Sequence, residues 1–509
     1  MLQTILWPFS RCTLVMLALV PTTAVFGCER LIGWSAEHAA VTSVEAIPAA
    51  DGVPTHCRVR GIIETSIGFE LLLPDEWNGK FLMGGAGGFV GHLKNQAQNG
   101  LSAGPTPLAR GYATASTDTG HSAPRLSATW ALGDAIAREN YAHRGVHLTA
   151  QTAKSIIAVY YGHPTQRSYF LGCSNGGREA MISAQRYPAD FDGILAMATA
   201  FDLPATAAQF VRIQQAVYPD PKDLESPAIT PENVDLLAGT VNRKCDALDG
   251  VTDGVIDDPR VCAFRVDDLP ICEGKAASQC VTPKQRDAIE TVLAVLTIDG
   301  KQVAPGFPVG GENDPSGWPT WITKQDPVVD VAAPNAQYGF GMQFFKYFIF
   351  RDANWDYAEY RFEHWDADTA ALRGVLNATD PDLDAFRDRG GKLILAHGWA
   401  DAGVPAQFSI DYYRRVEDRD RRAKDYARLF LLPGAAHCGG GPGPDRVDWV
   451  DTLEQWVELG RAPTTVRATK VDARGNVLRE RPICAYPEAA RFGGSGGPDP
   501  ATSYACVAP

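Results

Sequence analysis

One short segment constrains this chain more than any other, the Gly-x-Ser-x-Gly pattern Gly172-Cys173-Ser174-Asn175-Gly176. The apolar run Tyr169-Phe170-Leu171 precedes it, and residues 177–186 have the character of a helix. A strand that turns sharply into a helix holds a serine at the tip of the turn. Glycines flank the serine because side chains there would clash with the strained backbone. The segment therefore predicts a strand–turn–helix unit with an exposed serine hydroxyl.

Strand and helix patterns alternate on both sides of this segment. Apolar or alternating runs predict strands at 57–63, 68–74, 80–83, 111–117, 191–197, 392–396 and 428–432, and helical spacing covers 147–161 and 283–296. Such alternation favours a largely parallel sheet covered on both faces, that is, an α/β fold. Between the predicted strands at 191–197 and 392–396 lies a long stretch rich in Pro, Asp, Trp and Cys. We therefore expect one α/β domain, residues 28–202 and 388–509, with residues 203–387 inserted between sheet strands.

The N-terminus has the features of an export signal. Arg11 precedes an apolar run at 13–20, followed by Pro21 and small residues, and cleavage after Ala24 or Gly27 would fit. The run is too short to span a bilayer comfortably. Residues 1–27 are thus predicted to be a signal peptide of a secreted or periplasmic protein. A lipid anchor at Cys28 is the alternative, and Phe26 fits that pattern poorly.

Composition and charge exclude some partners. Hydrophobic residues make up 45% and charged residues 21%, the balance of a soluble globular protein. The formal net charge of -13 opposes binding to phosphate backbones and anionic membrane surfaces. We expect no nucleic-acid partner, and no membrane partner after signal cleavage. The oligomeric state does not follow from the sequence.

Cysteine usage also indicates an exported protein. Of the 11 cysteines, Cys12 would leave with the signal, and the remaining ten form an even set that is typical of disulfides. No C-x-x-C pair is present, which disfavours zinc. Sequence neighbours suggest the pairs Cys28–Cys57, Cys245–Cys262, Cys272–Cys280 and Cys484–Cys506, with Cys173 and Cys438 left over. Spacing alone does not prove this connectivity.

Ser174 has two candidate partners further along the chain. Asp401 follows the predicted strand at 392–396, and His437 follows the one at 428–432. Serine needs a base to take its proton and an acid to orient that base, and Ser, then Asp, then His is the chain order of α/β-hydrolases. Alone, Asp401 could cap a helix and His437 could be an ordinary loop histidine. Their order and positions predict a catalytic triad.

A tetrahedral oxyanion needs backbone donors as well. The residue after the nucleophile supplies one N–H, here Asn175. The second is expected from the glycine-rich run at 84–88, and Gly85 is the predicted donor. A phosphate-binding loop is the alternative for this run. No Lys-Ser or Lys-Thr follows it, which argues against a nucleotide site.

The segment 245–258 of the insertion gathers five aspartates. Carboxylates and backbone carbonyls at near-alternate positions suit Ca²⁺, a hard cation that takes six to eight oxygen ligands. The spacing differs from that of an EF-hand, and a solvated acidic turn is the alternative. We expect a structural calcium ion far from Ser174, and no organic cofactor.

Together these residues resemble the tannase/feruloyl esterase family of α/β-hydrolases over essentially the whole mature chain. The resemblance rests on Cys173-Ser174, Asp401, His437-Cys438 and the aspartate-rich loop after Cys245. It implies a Cys173–Cys438 disulfide beside the serine and the histidine, and the five pairs fit its bacterial members. It implies a large lid domain over the site. It also implies calcium ligands, namely the side chains of Asp246, Asp249 and Asp253 and the carbonyls of Val251 and Val255.

By the same resemblance the chain is expected to be a serine carboxylesterase for esters of aromatic acids. Feruloyl or other hydroxycinnamoyl esters are the first expectation, and galloyl esters or mono(2-hydroxyethyl) terephthalate are the alternatives. The insertion is rich in aromatic residues that could stack on an acyl ring or form its core. Ten of them are singled out here: Trp318, Trp321, Tyr338, Phe340, Phe344, Phe345, Tyr347, Phe348, Trp355 and Trp365. Arg351 could meet a substrate carboxylate or pair with Asp352 or Asp356. A non-catalytic binding protein and an exported peptidase are the competing functions.

Overall fold

The computed structural model describes residues 27–273, 278–324 and 333–508. The predicted signal peptide, apart from Gly27, lies outside the described residues. The strands, numbered in chain order, are β1 Ser35–Ala36, β2 Ala39–Ile47, β3 His56–Ile63, β4 Ile67–Pro74, β5 Lys80–Gly84, β6 Ala113–Thr117, β7 Arg167–Cys173, β8 Gly193–Met197, β9 Leu296–Ile298, β10 Lys301–Ala304, β11 Lys392–Gly398, β12 Ala427–Leu432, β13 Thr465–Val471, β14 Val477–Cys484, β15 Ala489–Phe492 and β16 Tyr504–Val507.

Twelve α-helices are found in the described part of the chain. They are α1 Ala135–Glu139, α2 Gly145–Tyr161, α3 Asn175–Arg186, α4 Leu203–Val217, α5 Pro231–Cys245, α6 Pro283–Leu293, α7 Trp318–Trp321, α8 Ala336–Phe344, α9 Trp365–Leu376, α10 Asp384–Asp388, α11 Gln407–Arg419 and α12 Trp449–Leu459. None of the helices in these residues is long and apolar enough to cross a bilayer.

Ten strands form one central sheet in the order β1-β2-β3-β4-β6-β5-β7-β8-β11-β12. The six strands from β6 to β12 in this order run parallel. The first four strands and the β4–β6 pair are antiparallel, so the prediction of a largely parallel sheet holds only for one side. The reason lies in the connections, because only three residues join β3 to β4, and a parallel pair needs a long crossover.

The sheet with helices on its faces confirms the predicted α/β-hydrolase fold. Strands β8 and β11 are hydrogen-bonded neighbours, although 194 residues separate the end of one from the start of the other. Helices α4 to α10 and the hairpin β9–β10 occupy that stretch. The predicted lid boundary at residue 387 falls inside α10 and stays a prediction.

Helices of the insertion begin with clear sequence signals. Thr230 and Thr282 each form a capping box with the residue three positions later, and a proline follows each threonine. The predicted helix at 283–296 ends at Leu293, because Leu296 starts β9 and pairs with Ala304.

The described residues contain ten cysteines, and all are disulfide-bonded. The pairs are Cys28–Cys57, Cys173–Cys438, Cys245–Cys262, Cys272–Cys280 and Cys484–Cys506. They are the same five pairs that the resemblance implies. Four of them close short loops, whereas Cys173–Cys438 joins residues 265 positions apart.

Candidate active site

Ser174 lies at the tip of a strained turn between β7 and α3. Its φ of 62° and ψ of -122° belong to a backbone region that residues other than glycine rarely occupy. The turn is tight, because a Cβ on Gly172 would stand 2.1 Å from the Gly176 carbonyl oxygen. Although Ser174 is the N-cap residue of α3, its side chain makes no capping hydrogen bond. The hydroxyl is thus left for another partner.

Asp401 and His437 meet above the ends of β11 and β12. His437 Nδ1 lies 2.8 Å from Asp401 Oδ2 and 3.0 Å from Oδ1. Asp401 is 1% exposed, and its Oδ1 also accepts from the amides of Gly403 and Val404. Nδ1 therefore carries the proton that faces the carboxylate, which leaves Nε2 as the free base. Burial favours the neutral acid, but the hydrogen bonds and the electropositive N–H groups of His437 and His397 outweigh it and hold the pKa of Asp401 well below its usual range.

The Cys173–Cys438 disulfide joins the serine turn to the histidine loop. Their Cα atoms are 5.9 Å apart, so Ser174 and His437 each neighbour one half of the bridge. Cys438, like Ser174, has a positive φ of 62°. Both residues beside the chemistry are thus held in strained backbone, which persists where the surroundings over-determine it.

A second histidine contacts the buried acid. His397 is fully buried, and its Nε2 lies 2.8 Å from the Val404 carbonyl and 3.2 Å from Asp401 Oδ2. Its Nδ1 lies 2.8 Å from the Ser409 hydroxyl. Because a carbonyl can only accept, Nε2 is the protonated nitrogen, and it donates towards Asp401 as well. His397 could not be singled out from the sequence, because one histidine inside a strand carries no local signal that it contacts the catalytic acid.

The predicted oxyanion donor Gly85 is wrong. Its amide donates to the Leu171 carbonyl at 2.9 Å, because the chain continues the β5–β7 pairing past the end of β5. The Ala86 amide donates to Glu179 Oε2 at 3.1 Å. The next two amides, of Gly87 and Gly88, have no acceptor among the described residues. Asn175 begins α3, where the first amides lack a partner within the helix, so its N–H stays a candidate.

A buried network fixes the glycine loop to α3. Glu179 accepts from the Ala86 amide and from Asn175 Nδ2, at 3.1 Å each. Asn175 Nδ2 also donates to the Ala86 carbonyl, and its Oδ1 accepts from Tyr141 and Arg178. Burial raises the pKa of Glu179 to about 7, against the opposing charge of Arg178. The sequence gives no sign of this network beyond the polar residues at the start of α3.

An apolar cavity opens beside Ser174, and its empty space, including the part that is open to solvent, is about 480 Å³. The residues that line it come from both sides of the insertion boundary and are Gly88, Phe89, Tyr141, Ser174, Asn175, Ala200, Leu203, Thr206, Ala207, Phe210, Trp321, Phe340, Phe344, Gly403 and Val404. Trp321 packs edge-on against the His437 ring, with centroids 4.7 Å apart. A Cβ on Gly403 would stand 2.9 Å from Trp321 and 3.0 Å from His437, so only glycine leaves room for this contact.

Most aromatic residues of the insertion form its core. Of the ten that the sequence offered, Trp321, Phe340 and Phe344 line the cavity. The other seven are Trp318, Tyr338, Phe345, Tyr347, Phe348, Trp355 and Trp365. Phe89 and Tyr141, from the α/β domain, and Phe210 of α4 complete the aromatic wall. None of these three was predicted from the sequence, although Phe89 directly follows the glycine run.

Arg351 does not line the cavity and is exposed. Asp352 and Asp356 instead accept from the amides of Asn354 and Ala358 in their own turns. In the described residues Arg351 makes no ion pair with either acid. Neither of the two roles considered for it is seen.

The aspartate-rich loop lies away from the cavity. Asp246 accepts from the amides of Asp253 and Gly254, and Asp249 Oδ1 accepts from Val251. The Asp253 carboxylate pairs with Arg481 and with Arg479, at 3.3 Å from the latter. Within 27–273, 278–324 and 333–508 no group of three or more Asp, Glu, His or Cys is arranged as a metal site.

Two atoms of this loop nevertheless fit a hard cation. Asp249 Oδ2 and Asp257 Oδ1 are buried carboxylate oxygens that accept no hydrogen bond from another described residue outside this pair. A buried carboxylate oxygen without a partner destabilises the folded state, because it has lost its hydration. A bound Ca²⁺, which takes carboxylate oxygens as ligands, would remove this cost. The residues present therefore fit the ion, with Asp257 added to the predicted set of Asp246, Asp249, Val251, Asp253 and Val255.

The chain is similar to known proteins over most of its length. Residues 52–507 match the sequence model described as tannase and feruloyl esterase. The chain belongs to this family. It is 32% identical to the mono(2-hydroxyethyl) terephthalate hydrolase of Piscinibacter sakaiensis, over 91% of this chain and 87% of that protein. It is 29% identical to feruloyl esterase B of Aspergillus niger, over 89% and 86%.

Solved structures of the family agree with the fold. The crystal structure of feruloyl esterase B from Aspergillus oryzae superposes with a TM-score of 0.82 at 25% identity, over 94% of this chain and 100% of that one. A tannin acyl hydrolase from Aspergillus niger gives 0.73 at 20% identity, over 92% of both chains, and shows the shared fold. Membership of the family makes the chain a carboxylic ester hydrolase.

Proposed function

We propose that this esterase cleaves esters of aromatic acids, hydroxycinnamoyl esters first, through an acyl-enzyme on Ser174. The observation that carries the proposal is the buried Asp401–His437 pair, held beside the strained serine by the Cys173–Cys438 bridge. The aromatic cavity at the same serine suits a planar acyl group. The similar proteins named as feruloyl esterases support the choice of acid.

The residues divide the work in two steps. His437 Nε2 takes the hydroxyl proton as Ser174 Oγ attacks the ester carbonyl, and it then gives that proton to the departing alcohol. In the second step it takes a proton from water, which attacks the acyl-enzyme, and returns the proton to Ser174 as the acid leaves. Asp401 holds the imidazole in the required tautomer and stabilises its positive charge.

Backbone amides stabilise the negative oxygen that forms in each step. The Asn175 amide supplies one donor, and the second comes from the Gly87–Gly88 segment, whose amides are uncommitted in the described structure. Losing one such donor typically costs about 3 kcal/mol of transition-state stabilisation.

Covalent labelling tests the proposal directly. A fluorophosphonate should add to Ser174 alone, as peptide mass spectrometry would show, and should abolish turnover of methyl ferulate. Ser174→Ala should lose both labelling and turnover, whereas Ser183→Ala, in the same helix, should keep both. Full turnover of methyl ferulate by the Ser174 variant would contradict the assignment.

A substrate panel separates the alternatives. Methyl ferulate, methyl gallate, a terephthalate monoester and a peptide represent the feruloyl esterase, tannase, half-ester hydrolase and peptidase activities. We expect methyl ferulate to have the highest kcat/KM and the peptide to remain intact. A preference for methyl gallate or for the terephthalate monoester would replace the substrate that we propose.

Two further proposals concern the setting of the enzyme. We propose that Asp246, Asp249, Asp253 and Asp257, with the carbonyls of Val251 and Val255, hold a structural calcium ion, which would neutralise the loop acids. We also propose that the chain is exported. The five disulfides fit an oxidising compartment, and the predicted signal at 1–27 supports the same conclusion.

A further inference from the structure

The cavity beside Ser174 has no charged side chain in its described lining. Its walls are chiefly the rings of Phe89, Phe210, Trp321, Phe340 and Phe344. A planar ring gains from burial against such walls. A carboxylate does not, because it would lose its hydration without gaining a partner of opposite charge.

The polar side chains of the lining other than Ser174 already use their hydrogens. The Thr206 hydroxyl donates to the Asp202 carbonyl at 2.8 Å. Tyr141 OH lies within donating distance of Asn175 Oδ1 (3.0 Å) and the Gly88 carbonyl (3.2 Å). The hydrogens of the Asn175 side-chain amide go to Ala86 and Glu179. Apart from the Ser174 hydroxyl and the backbone amides assigned to the oxyanion, what remains is lone pairs on two hydroxyl oxygens, which can accept from a ring hydroxyl but cannot solvate an anion.

The described lining offers no cation to compensate. Arg351, the residue that could have met a carboxylate, is exposed and outside the lining. Residues 325–332, which lie outside the described part of the chain, contain no Lys, Arg or His in their sequence. The net charge of -13 adds a long-range repulsion of anionic substrates.

We propose that this cavity selects uncharged aromatic acyl groups with few ring hydroxyls and rejects acyl groups that carry a free carboxylate. This inference rests on the proposed function and names the acid that the same site accepts. The proposed selectivity differs from that of the 32% identical relative, which is named as a hydrolase of a half-ester of a dicarboxylic acid. Hydroxycinnamoyl rings satisfy the rule. Galloyl rings, with three adjacent hydroxyls, offer more donors than the two available lone-pair sites.

A matched pair of substrates tests the inference on the wild-type enzyme. Dimethyl terephthalate and monomethyl terephthalate share the ring and the scissile methyl ester and differ in one carboxylate. We expect kcat/KM for the monoester to be about 100-fold lower, after halving the diester value for its two equivalent esters, because an apolar pocket leaves the charge unpaired. A ratio below about ten-fold would overturn the inference.

The same experiment keeps the two proposals apart. If methyl ferulate and dimethyl terephthalate both resist hydrolysis, the proposed function fails, and this inference falls with it. If the neutral esters and the monoester are all cleaved at similar rates, the esterase assignment stands and only the charge selection is refuted.

Two variants extend the test. Arg351→Ala should leave the monoester to diester ratio unchanged, and a ten-fold fall in monoester turnover alone would mean that Arg351 serves the carboxylate, contrary to the inference. Leu203→Arg places a cation in the cavity wall and should raise the ratio about ten-fold, whereas Leu203→Gln should not. Circular dichroism would establish that both Leu203 variants fold, and the wild-type comparison holds without them.

Discussion

The edge of the sheet that carries Ser174, Asp401 and His437 is built differently from the insertion that faces it. At the sheet edge, buried polar groups are paired: Asp401 accepts from two amides and two histidines, and Glu179 from two donors. Across the cavity, Trp321 and Phe344 present apolar rings without a charged neighbour in the described lining. The difference indicates that the sheet edge sets the chemistry, which is common to every ester, and the insertion sets which acid enters.

The largest effect is expected from Asp401, the buried acid at the sheet edge. Asp401→Asn should lower kcat about 10⁴-fold for every ester, because the amide no longer fixes the tautomer of His437. Relative rates between esters should not change. The exposed Asp418→Asn is the control and should be silent. A loss confined to some substrates would mean that Asp401 contributes to selection.

The two disulfides nearest to the compared regions should differ in effect. Removing Cys173–Cys438 as the double alanine variant should cost about 5 kcal/mol of unfolding free energy in the chain-entropy model and lower kcat for all esters, since the bridge joins the serine turn to the histidine loop. Removing Cys245–Cys262 in the insertion, whose ends are 17 positions apart, should cost about 3 kcal/mol and leave kcat unchanged.

Denaturant titrations and initial rates, both measured where each variant is folded, would show the difference. Equal losses of kcat in the two double variants would contradict the division of labour between the sheet edge and the insertion.

Substitutions in the cavity wall of the insertion should change the preference between esters, whereas substitutions at the sheet edge should lower kcat for all esters alike. Phe344→Ala should destabilise the fold by about 3 kcal/mol and change the ratio of kcat/KM between methyl ferulate and methyl benzoate about ten-fold, because it enlarges the acyl cavity. Phe345→Ala is the matched control. Phe345 is equally buried and lies outside the cavity lining, so its loss should cost stability without changing the ratio.

How far the sequence could predict these regions depends on the range of the interactions. The serine turn, Asp401 and His437 each follow a strand, so local pattern and chain order were enough to name them. The free amide of the glycine run was not predictable, because the hydrogen bond from Gly85 to Leu171 comes from sheet pairing. The cavity also could not be read from the chain, since Phe89, Thr206 and Val404 converge from distant segments.

Glu179 gives a smaller, pH-dependent test at the sheet edge. Its pKa in the folded protein is raised by burial to about 7, above the ordinary value of 4.5, so folding binds a proton. Its stabilising contribution is therefore complete below pH 4.5 and is lost as the pH rises through 7, an effect of about 3 kcal/mol for this buried group. The groups that face it are Arg178, Asn175 and the Ala86 amide.

Glu179→Gln should remove this component, seen as a flatter pH dependence of unfolding free energy between pH 4.5 and 7. It should also lower kcat modestly, because the NH2 group that replaces one carboxylate oxygen cannot accept from the donor that was bonded there, and the two donors that fix the glycine loop use different oxygens. Glu37→Gln, at an exposed position between β1 and β2, serves as the control. Unchanged pH dependence in the Glu179 variant would remove this residue from the account.

The smallest effect should come from the proposed calcium ion, and it should touch stability alone. An ion present at a hundred times its Kd stabilises the folded state by about 2.7 kcal/mol, so EDTA should lower Tm by a few degrees while kcat below the transition is unchanged. Asp249→Asn should start at the lower Tm and no longer respond to EDTA, whereas Asp267→Asn, an exposed acid of the same insertion, should respond as the wild type does. Chelation that abolishes turnover without unfolding would place the ion in the chemistry, and would break the separation between an insertion that shapes the site and a sheet edge that performs the reaction.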